Sequence, residues 1–399
     1  MKICFFPDEK STRFHPLTLT RPIDDLRIGI FTIREKWMHA LDVAGFARIQ
    51  AAFLEDVFAI GSAENTDECL WINPRFLPSE KLVNQIKKLD KYEKIVFKGD
   101  AVAVKLGGSE SQPMLKEQDF DLSSIELTET EITEAIHLEH LWDMLLLNSF
   151  EIEKDLQYAG LKLLSEENKT AAMSVFSLEN TYVGENVTIE PNVTIIAEEG
   201  PVVLMDDATI EAGSILRGPI VVGKGATIKM ASRVYGGSTI GPVCKVGGEI
   251  SNCIFHSYSN KAHDGFVGNS IFGQWVNLGA DTNTSNLKNN YSTVRMSGWE
   301  SRKDIETGMQ FLGTVMADHS KTAINTMLNT GTICGVSSNI FMGGFPPKYI
   351  PSFAWVGSED YGIYKFDKAI EAMRAMMKRR EIELSDAYKA MMHHHSDKL

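Results

Sequence analysis

The sequence predicts an α/β domain, then a parallel β-helix of six-residue repeats, then a closing C-terminal helix. Three observations carry this. Every sixth residue from 204 is aliphatic for eight steps: Leu204, Ile210, Leu216, Val222, Ile228, Val234, Ile240 and Val246. Residues 1 to about 165 alternate short strand-like runs with stretches of helical period. Phe366, Ile370, Met373 and Met377 lie at i, i+4, i+7 and i+11, one apolar stripe of a helix.

A helix repeats at 3.6 residues and a simple strand at 2, so neither produces a strict six. Short parallel strands wound into a prism do, with three hexads to a coil. The aliphatic residue points into the interior. Four positions on, Ala208, Ser214, Ala226, Ser232, Ser238 and Cys244 are small enough for the corner, with Ile220 and Ile250 the larger exceptions. Glycine or asparagine takes the tight bend. A shorter run, Val183, Ile189 and Ile195, precedes the main one, out of phase by three residues.

The chain has 399 residues, too many for one ordinary core. The expected division is an α/β domain over 1–165, a linker over 166–180, the β-helix over 181–357, and a helix and tail over 358–399. In the first part, "KICFF", "VFAI", "CLWI" and "IVFKGDAVAVKL" read as strands. Ile33, Trp37 and Leu41 share one helical face, and Ser79 is placed to cap a helix carrying Leu82, Ile86 and Leu89. A third helical stretch lies in "EAIHLEHLWDMLLLNSFEIEKDL", with a break expected near Asn148. The C-terminal helix is expected to run to about Met391, with His393–His395 in a frayed tail.

Net charge is −13 with no block of Lys or Arg, which argues against a nucleic-acid partner. No stretch reaches the ~18 apolar residues that span a bilayer, so no membrane role is expected. The start, "MKICFFPDEK", lacks the long apolar run of a signal peptide. The five cysteines are odd in number and scattered, with neither metal spacing nor a disulfide framework. Buried reduced thiols in a cytoplasmic protein are the expectation.

Chemistry concentrates where the hexads stop. "KAHDGFVGNSIFGQWVNLGADTNTSNLKNN", from Lys261 to Asn290, holds one His, small residues and a crowd of Asn. The asparagines suit capped turns.

The hexads resemble the left-handed parallel β-helix of hexapeptide-repeat acyltransferases. The handedness and a homotrimer are implied by that resemblance. The stretch from His263 resembles the acetyltransferase domain of the bifunctional glucosamine-1-phosphate acetyltransferase and N-acetylglucosamine-1-phosphate uridyltransferase family, GlmU. The carriers are His263, Phe266 three residues on, "VNLGA" from Val276 to Ala280, and "DTNTSN" from Asp281 to Asn286. The resemblance implies acetyl transfer from acetyl-CoA to an amino-sugar phosphate. His263 would be the base, with Asn277 and Asn286 holding it or the sugar. Ala280 would leave its backbone open to the acetyl group. Phe266 stands where the family has Tyr, so a hydroxyl contact is lost. The family's paired lysines are replaced by "SNCIFHS". Phosphate recognition is then expected from Arg233, Lys261, Lys288 or Arg295, and Lys348 is the candidate for the coenzyme A phosphates. The insertion "LKNNYSTVRMSGWESRKDIETG" adds Arg302 and Lys303 to the cations that suit phosphate.

The first domain resembles a compact sugar nucleotidyltransferase. After "KICFF", Ser11-Thr12-Arg13 and Pro16-Leu17-Thr18 are similar to that family's phosphate motif. The glycines are absent, and Ile23 stands at the catalytic Lys position. Arg21, Arg27 and Arg34 would supply positive charge instead. Thr12, Arg13, Arg21 and Asn73 are the candidate nucleotide contacts, with Mg²⁺ expected to bridge phosphates of a nucleoside triphosphate. Asn73 and Asp100 compete for the metal-binding position, so the ligand set is unknown. Two alternatives stay open: acyl transfer alone beside a degenerate first domain, and a non-catalytic trimeric scaffold.

Overall fold

The computed structural model describes residues 2–61, 68–166, 172–358, 360 and 362–396. The chain divides into two compact units. The first comprises Met1–Phe14, Thr20–Leu26 and Phe31–Leu141; the second comprises His15–Leu19, Arg27–Ile30 and Trp142–Leu399. Residues 167–171 of the expected linker lie outside the described residues.

The first unit is built on a six-stranded mixed sheet. Its order is 46–48, 2–5, 68–72, 100–107, 93–97, 128–131. Strands 46–48, 2–5 and 68–72 run parallel. Strand 100–107 is antiparallel to both its neighbours. "IVFKGDAVAVKL" is thus two strands, turned at Lys98, which sits at φ 50. "VFAI" is not a strand; the sheet edge is Phe46–Arg48 instead. Helix α1 (Ile33–Leu41) opens with a capping box between Thr32 and Glu35. Ser79 caps α2 (Glu80–Ile86) through the Leu82 amide. Helix α3 (Gly108–Glu117) carries Pro113 and had no clear periodic signal.

Helix α4 (Asp143–Ala159) runs unbroken through Asn148. The expected break is removed by side-chain bonding. Asn148 is fully buried; its Oδ1 accepts from the Gly29 amide at 2.7 Å and its Nδ2 donates to the Gly237 carbonyl at 2.8 Å. With its amide satisfied from outside the helix, the side chain has no need to compete for the helix backbone.

The second unit is the three-faced parallel β-helix. The first face stacks strands 174–176, 194–196, 215–217, 233–234, 249–251 and 266–268. The second runs from 181–183 to 349–350 through nine parallel strands. The third runs from 188–189 to 260–261, continues through bridges from Asn260 to Asn277 to Lys321, and resumes as 321–322, 339–340 and 354–356. All eight hexad aliphatics are buried in the interior, in one apolar cluster. Burial of such a side chain is worth roughly 1.5–3 kcal/mol, so the prism is held by repetition rather than by one centre.

The spacing changes where the site lies. Leu204 faces Val222 and Val222 faces Ile240, eighteen residues apart. Ile240 then faces Phe255, and Val246 faces Lys261, only fifteen apart. Phe255 stacks on Phe272 at 4.7 Å, so aromatic rings fill the shortened coils. Phe272 next faces Met316, because 286–313 leaves the prism as an excursion. That excursion holds an antiparallel pair, Arg295–Ser297 with Asp304–Glu306, and returns where Leu312 donates to the Asn286 carbonyl.

The C-terminal helix is two helices. Helix α5 (Phe366–Lys378) buries Ile370, Met373 and Met377 as the stripe requires. Glu381 at φ 58 follows it, and α6 (Asp386–Ser396) begins afterwards. The histidines are therefore helical rather than frayed, and His395 is buried with Nε2 bound to the Leu19 carbonyl. Among the described residues no helix is long and apolar enough to cross a membrane.

Candidate active site

The corner between the third and first faces carries an open depression of about 620 Å³. It is lined by Met230, Gly248, Ala262, His263, Asp264, Ala280 and Asp281, from successive coils. His263 is exposed on its rim. Ala280 occupies the same corner one coil on, so the imidazole and an open backbone lie side by side. The turn under His263 needs glycine: Gly265 sits at φ +113, and a Cβ there would meet the Thr282 carbonyl oxygen at 2.4 Å.

Bonds between coils brace this corner. The Asp281 amide donates to the Asp264 carbonyl at 3.0 Å. Asn283 accepts from the Phe266 amide through Oδ1 at 2.8 Å and donates through Nδ2 to the Asp281 carbonyl at 2.9 Å. Thr282 and Thr322 hydroxyls meet at 2.8 Å.

The other expected residues spread along the prism. Phe266 lies on the first face, where its ring and Asn286 Nδ2 flank Gly268. Asn286 donates to Asn269 Oδ1 at 2.7 Å at the next corner. Asn277 stands on the third face, accepting from Asn260 Nδ2 at 3.3 Å, and does not line the depression. Arg233 is on the first face, paired with Glu249 at 3.2 Å.

Lys261 is not a surface phosphate contact. It is fully buried in the interior row, where Val246 pairs with it. Its ammonium donates to the carbonyls of Gly247 at 3.2 Å, Asp264 at 2.8 Å, and His263. Burial pulls its pKa down to about 8, against the carboxylates of Asp264 and Asp281. The insertion's cations are also elsewhere. Lys288 donates to the Thr293 carbonyl at 2.6 Å, Arg295 pairs with Glu306, and Arg302 lies over Tyr349 at 5.4 Å. Lys348 feels Lys288 nearby; burial first, then that like charge, holds its pKa below the usual lysine value. None of these lines the depression.

In the first unit, the ends of the parallel strands gather charge, where open α/β sheets bind ligands. Arg75 is fully buried, with Nε 2.9 and 2.8 Å from the two Asp8 oxygens and Nη2 2.7 Å from Asp100. Asn73 Nδ2 donates to Asp8 at 2.8 Å, Lys10 pairs with Asp100 at 2.8 Å, and Arg13 pairs with Glu139. Burial raises the Asp8 carboxyl, but hydrogen bonds from Arg75 and Asn73 outweigh it and hold the group below the usual range. Asp100 is lowered in the same way, by Lys10 and Arg75 against burial.

Asn73 and Arg13 thus share one cluster. Thr12 is exposed nearby in sequence, its hydroxyl bonded to the Glu9 carbonyl. Arg21 does not face solvent; it is buried and pairs with Asp25 at 3.1 Å. Asp8 and Asp100 are spent on Arg75, and no cluster of three metal-ligating side chains occurs among the described residues. The side chains present therefore do not by themselves make a seat for Mg²⁺.

Sequence reasoning missed Asp264, Asp281 and Asn283 at the corner, and Asp8 and Arg75 in the sheet. The coil register carried a signal for the first two, since they follow His263 and Ala280 directly. Arg75 had none, because its partners are far away in the chain.

The chain thus joins an α/β unit with a charged strand-end cluster to a three-faced parallel β-helix with an exposed imidazole at an open corner. Residues 3–161 match the family model described as sugar nucleotidyl transferase, and the chain carries that domain. It is 26% identical over 235 residues to the bifunctional sugar-1-phosphate nucleotidylyltransferase/acetyltransferase of Sulfurisphaera tokodaii, covering 56% of this chain and 53% of that protein. It is 28% identical over 177 residues to the bifunctional protein GlmU of Synechococcus elongatus, covering 44% of this chain and 34% of that protein. The likeness to the GlmU type read from the sequence holds, at low identity. The matches span about half the length of the first relative and a third of the second.

Proposed function

We propose that the β-helix transfers an acetyl group from acetyl-CoA to the amine of an amino-sugar phosphate, and that the first unit transfers a nucleotidyl group from a nucleoside triphosphate to a sugar 1-phosphate. The observation that carries the first activity is the exposed His263 in an open corner beside Ala280. The imidazole takes a proton from the amine as its nitrogen attacks the thioester carbon. The C–S bond then breaks, and coenzyme A leaves as the thiolate, which takes up a proton. Gly248, Ala262 and Ala280 keep the rim low, so a flat thioester can approach the backbone. Arg233 is the proposed phosphate contact, because its pairing with Glu249 is solvent-exposed and exchanges at little cost. Lys348 and Lys288 lie outside the lining of the depression and remain candidates for the coenzyme A phosphates away from the reacting carbon.

A homotrimer would complete the site. Phe176, Ile215 and Met327 are exposed on the first face or its continuation, with Met230 and Ile324 at its rim 66% and 70% exposed. A copy seated there would cover that apolar surface and wall the open depression. The five free, buried cysteines suit a reducing, cytoplasmic setting.

Acyl transfer alone is the second reading, favoured by the Arg75 cluster: its carboxylates and guanidinium already satisfy one another. A panel of amino-sugar 1-phosphates with acetyl-CoA, and of sugar 1-phosphates with UTP or dTTP, separates the readings. Thiol release that disappears in His263→Ala supports the base. Pyrophosphate release supports the full reading; thiol release without it supports the second. Equal thiol release by His263→Ala rejects the catalytic assignment.

A further inference from the structure

We propose that Lys261 is the positioning residue of the acetyl-transfer site, its ammonium acting from inside the prism as a clamp on the turn that presents His263. This rests on the reading of His263 as the base.

The interior row to which Lys261 belongs is otherwise built for apolar packing. Ile210, Ile228 and Val246 precede it. Leu278 follows, since the neighbouring residues Asn260 and Asn277 pair. A cation in that row loses its hydration, a heavy penalty unless its donors are all met. Here three donors meet three carbonyl oxygens, of Gly247, His263 and Asp264. Two of these belong to the residues at the lip of the depression. An aliphatic residue would fill the row more cheaply, but could not tie this turn to the coil beneath.

The charged groups facing the ammonium are Asp264 on its own turn and Asp281 on the coil above, while His263 meets it through its backbone carbonyl. Val246 below and Leu278 above are neutral. Asp264 and Asp281 favour the charge, and burial opposes it more strongly, leaving the pKa at about 8 against an ordinary 10.5. The clamp is therefore engaged below pH 8 and released above it. Stability moves the other way. The unfolded lysine keeps its proton up to about 10.5, so between these values the unfolded chain binds more protons and the folded chain gains stability as pH rises. A positioning role thus predicts loss of turnover in a pH range where this group makes the fold no weaker.

The test uses the full chain, wild type against Lys261→Met, with two readouts. One is amide exchange at Asp281 and Glu249, whose N–H groups donate to the carbonyls of Asp264 and Gly265 in the clamped turn. The other is steady-state acetyl transfer from acetyl-CoA to glucosamine 1-phosphate. Met fits the row, so the thermal midpoint should hold or rise. Exchange at both amides should quicken tenfold or more. The kcat should fall tenfold or more with KM for acetyl-CoA within twofold, and the alkaline limb near pH 8 should vanish. In wild type, protection of the two amides, corrected for intrinsic rates, should fall through pH 8; this reading stands even if Lys261→Met does not fold. Unchanged exchange in the variant, or pH-independent protection in wild type, overturns the clamp whether or not the enzyme turns over. Full activity of His263→Ala overturns the catalytic reading instead, and leaves the exchange result to judge Lys261.

Discussion

Replacing Gly265 by Ala should damage the corner that presents His263 without touching the imidazole itself. Gly265 sits at φ +113, outside the left-handed helical region and in territory used almost only by glycine. Holding alanine there costs about 1–3 kcal/mol. The added Cβ would lie 2.4 Å from the Thr282 carbonyl oxygen and 3.1 Å from the Asp281 carbonyl carbon. Those atoms are backbone of the next coil, tied by the Asp281–Asp264 hydrogen bond. Relief requires opening the coil spacing, and overpacking of this kind costs about 1–3 kcal/mol more. The sum is about 2–6 kcal/mol, concentrated at one turn. Gly308→Ala is the control. It has φ +71, and an added methyl would have no neighbour within 4 Å, so it meets only a small backbone cost. Guanidinium melts of the two variants, followed by circular dichroism and paired with acetyl-transfer rates, give the comparison. The midpoint of Gly265→Ala should fall clearly below that of Gly308→Ala, and its kcat should drop at least tenfold. Equal midpoints and equal rates would refute the argument that this turn is confined by its neighbour.

Two further outcomes follow from the same geometry. Arg75→Ala leaves the half-buried Asp8 and Asp100 without their guanidinium, and losing hydrogen bonds to charged groups of this kind costs about 1.5–3 kcal/mol. Because both carboxyls are held below their ordinary values in the folded state, their contribution is present above about pH 4 and is lost as pH falls through the lowered values. The variant should therefore lose stability at neutral pH and show a weaker acid dependence than wild type, as read by thermal melts between pH 3 and 7. Met230→Asp with Ile324→Asp places charge on the most exposed apolar side chains at the rim of the first face. Light scattering should show a smaller assembly with the helical and strand content unchanged; an unaltered mass would remove that face as the contact.

The β-helix was legible because its signal is local and repeated. A six-residue step forces the same side chain inward on each pass, so Leu204 to Val246 announce the prism in any context. The corner with His263 was legible for a related reason, since small residues and a lone imidazole cluster where the step fails. Helix α1 and α2 were readable from a cap and a stripe. By contrast, α3 was hidden by Pro113 and a weak stripe, and the unbroken course of α4 depends on Gly29 and Gly237 meeting Asn148. The strand at Phe46–Arg48 was missed in favour of "VFAI", because short strands carry little pattern and pairing with Ile3–Phe5 settles the matter.

By itself, then, the sequence determined the class of each half and marked the corner where the hexad step fails, because periodicity and turn residues act over a few neighbours. Only the tertiary structure decided what each polar group does. Lys261 reads as a solvent cation until the fifteen-residue coil turns it inward. Arg21 reads as a phosphate contact until Asp25 takes it. Asp8, Asn73, Arg75 and Asp100 become one cluster only when the sheet brings them together. The physical reason is range: burial and partner choice for a charged group depend on residues far away in the chain, and no local pattern encodes them.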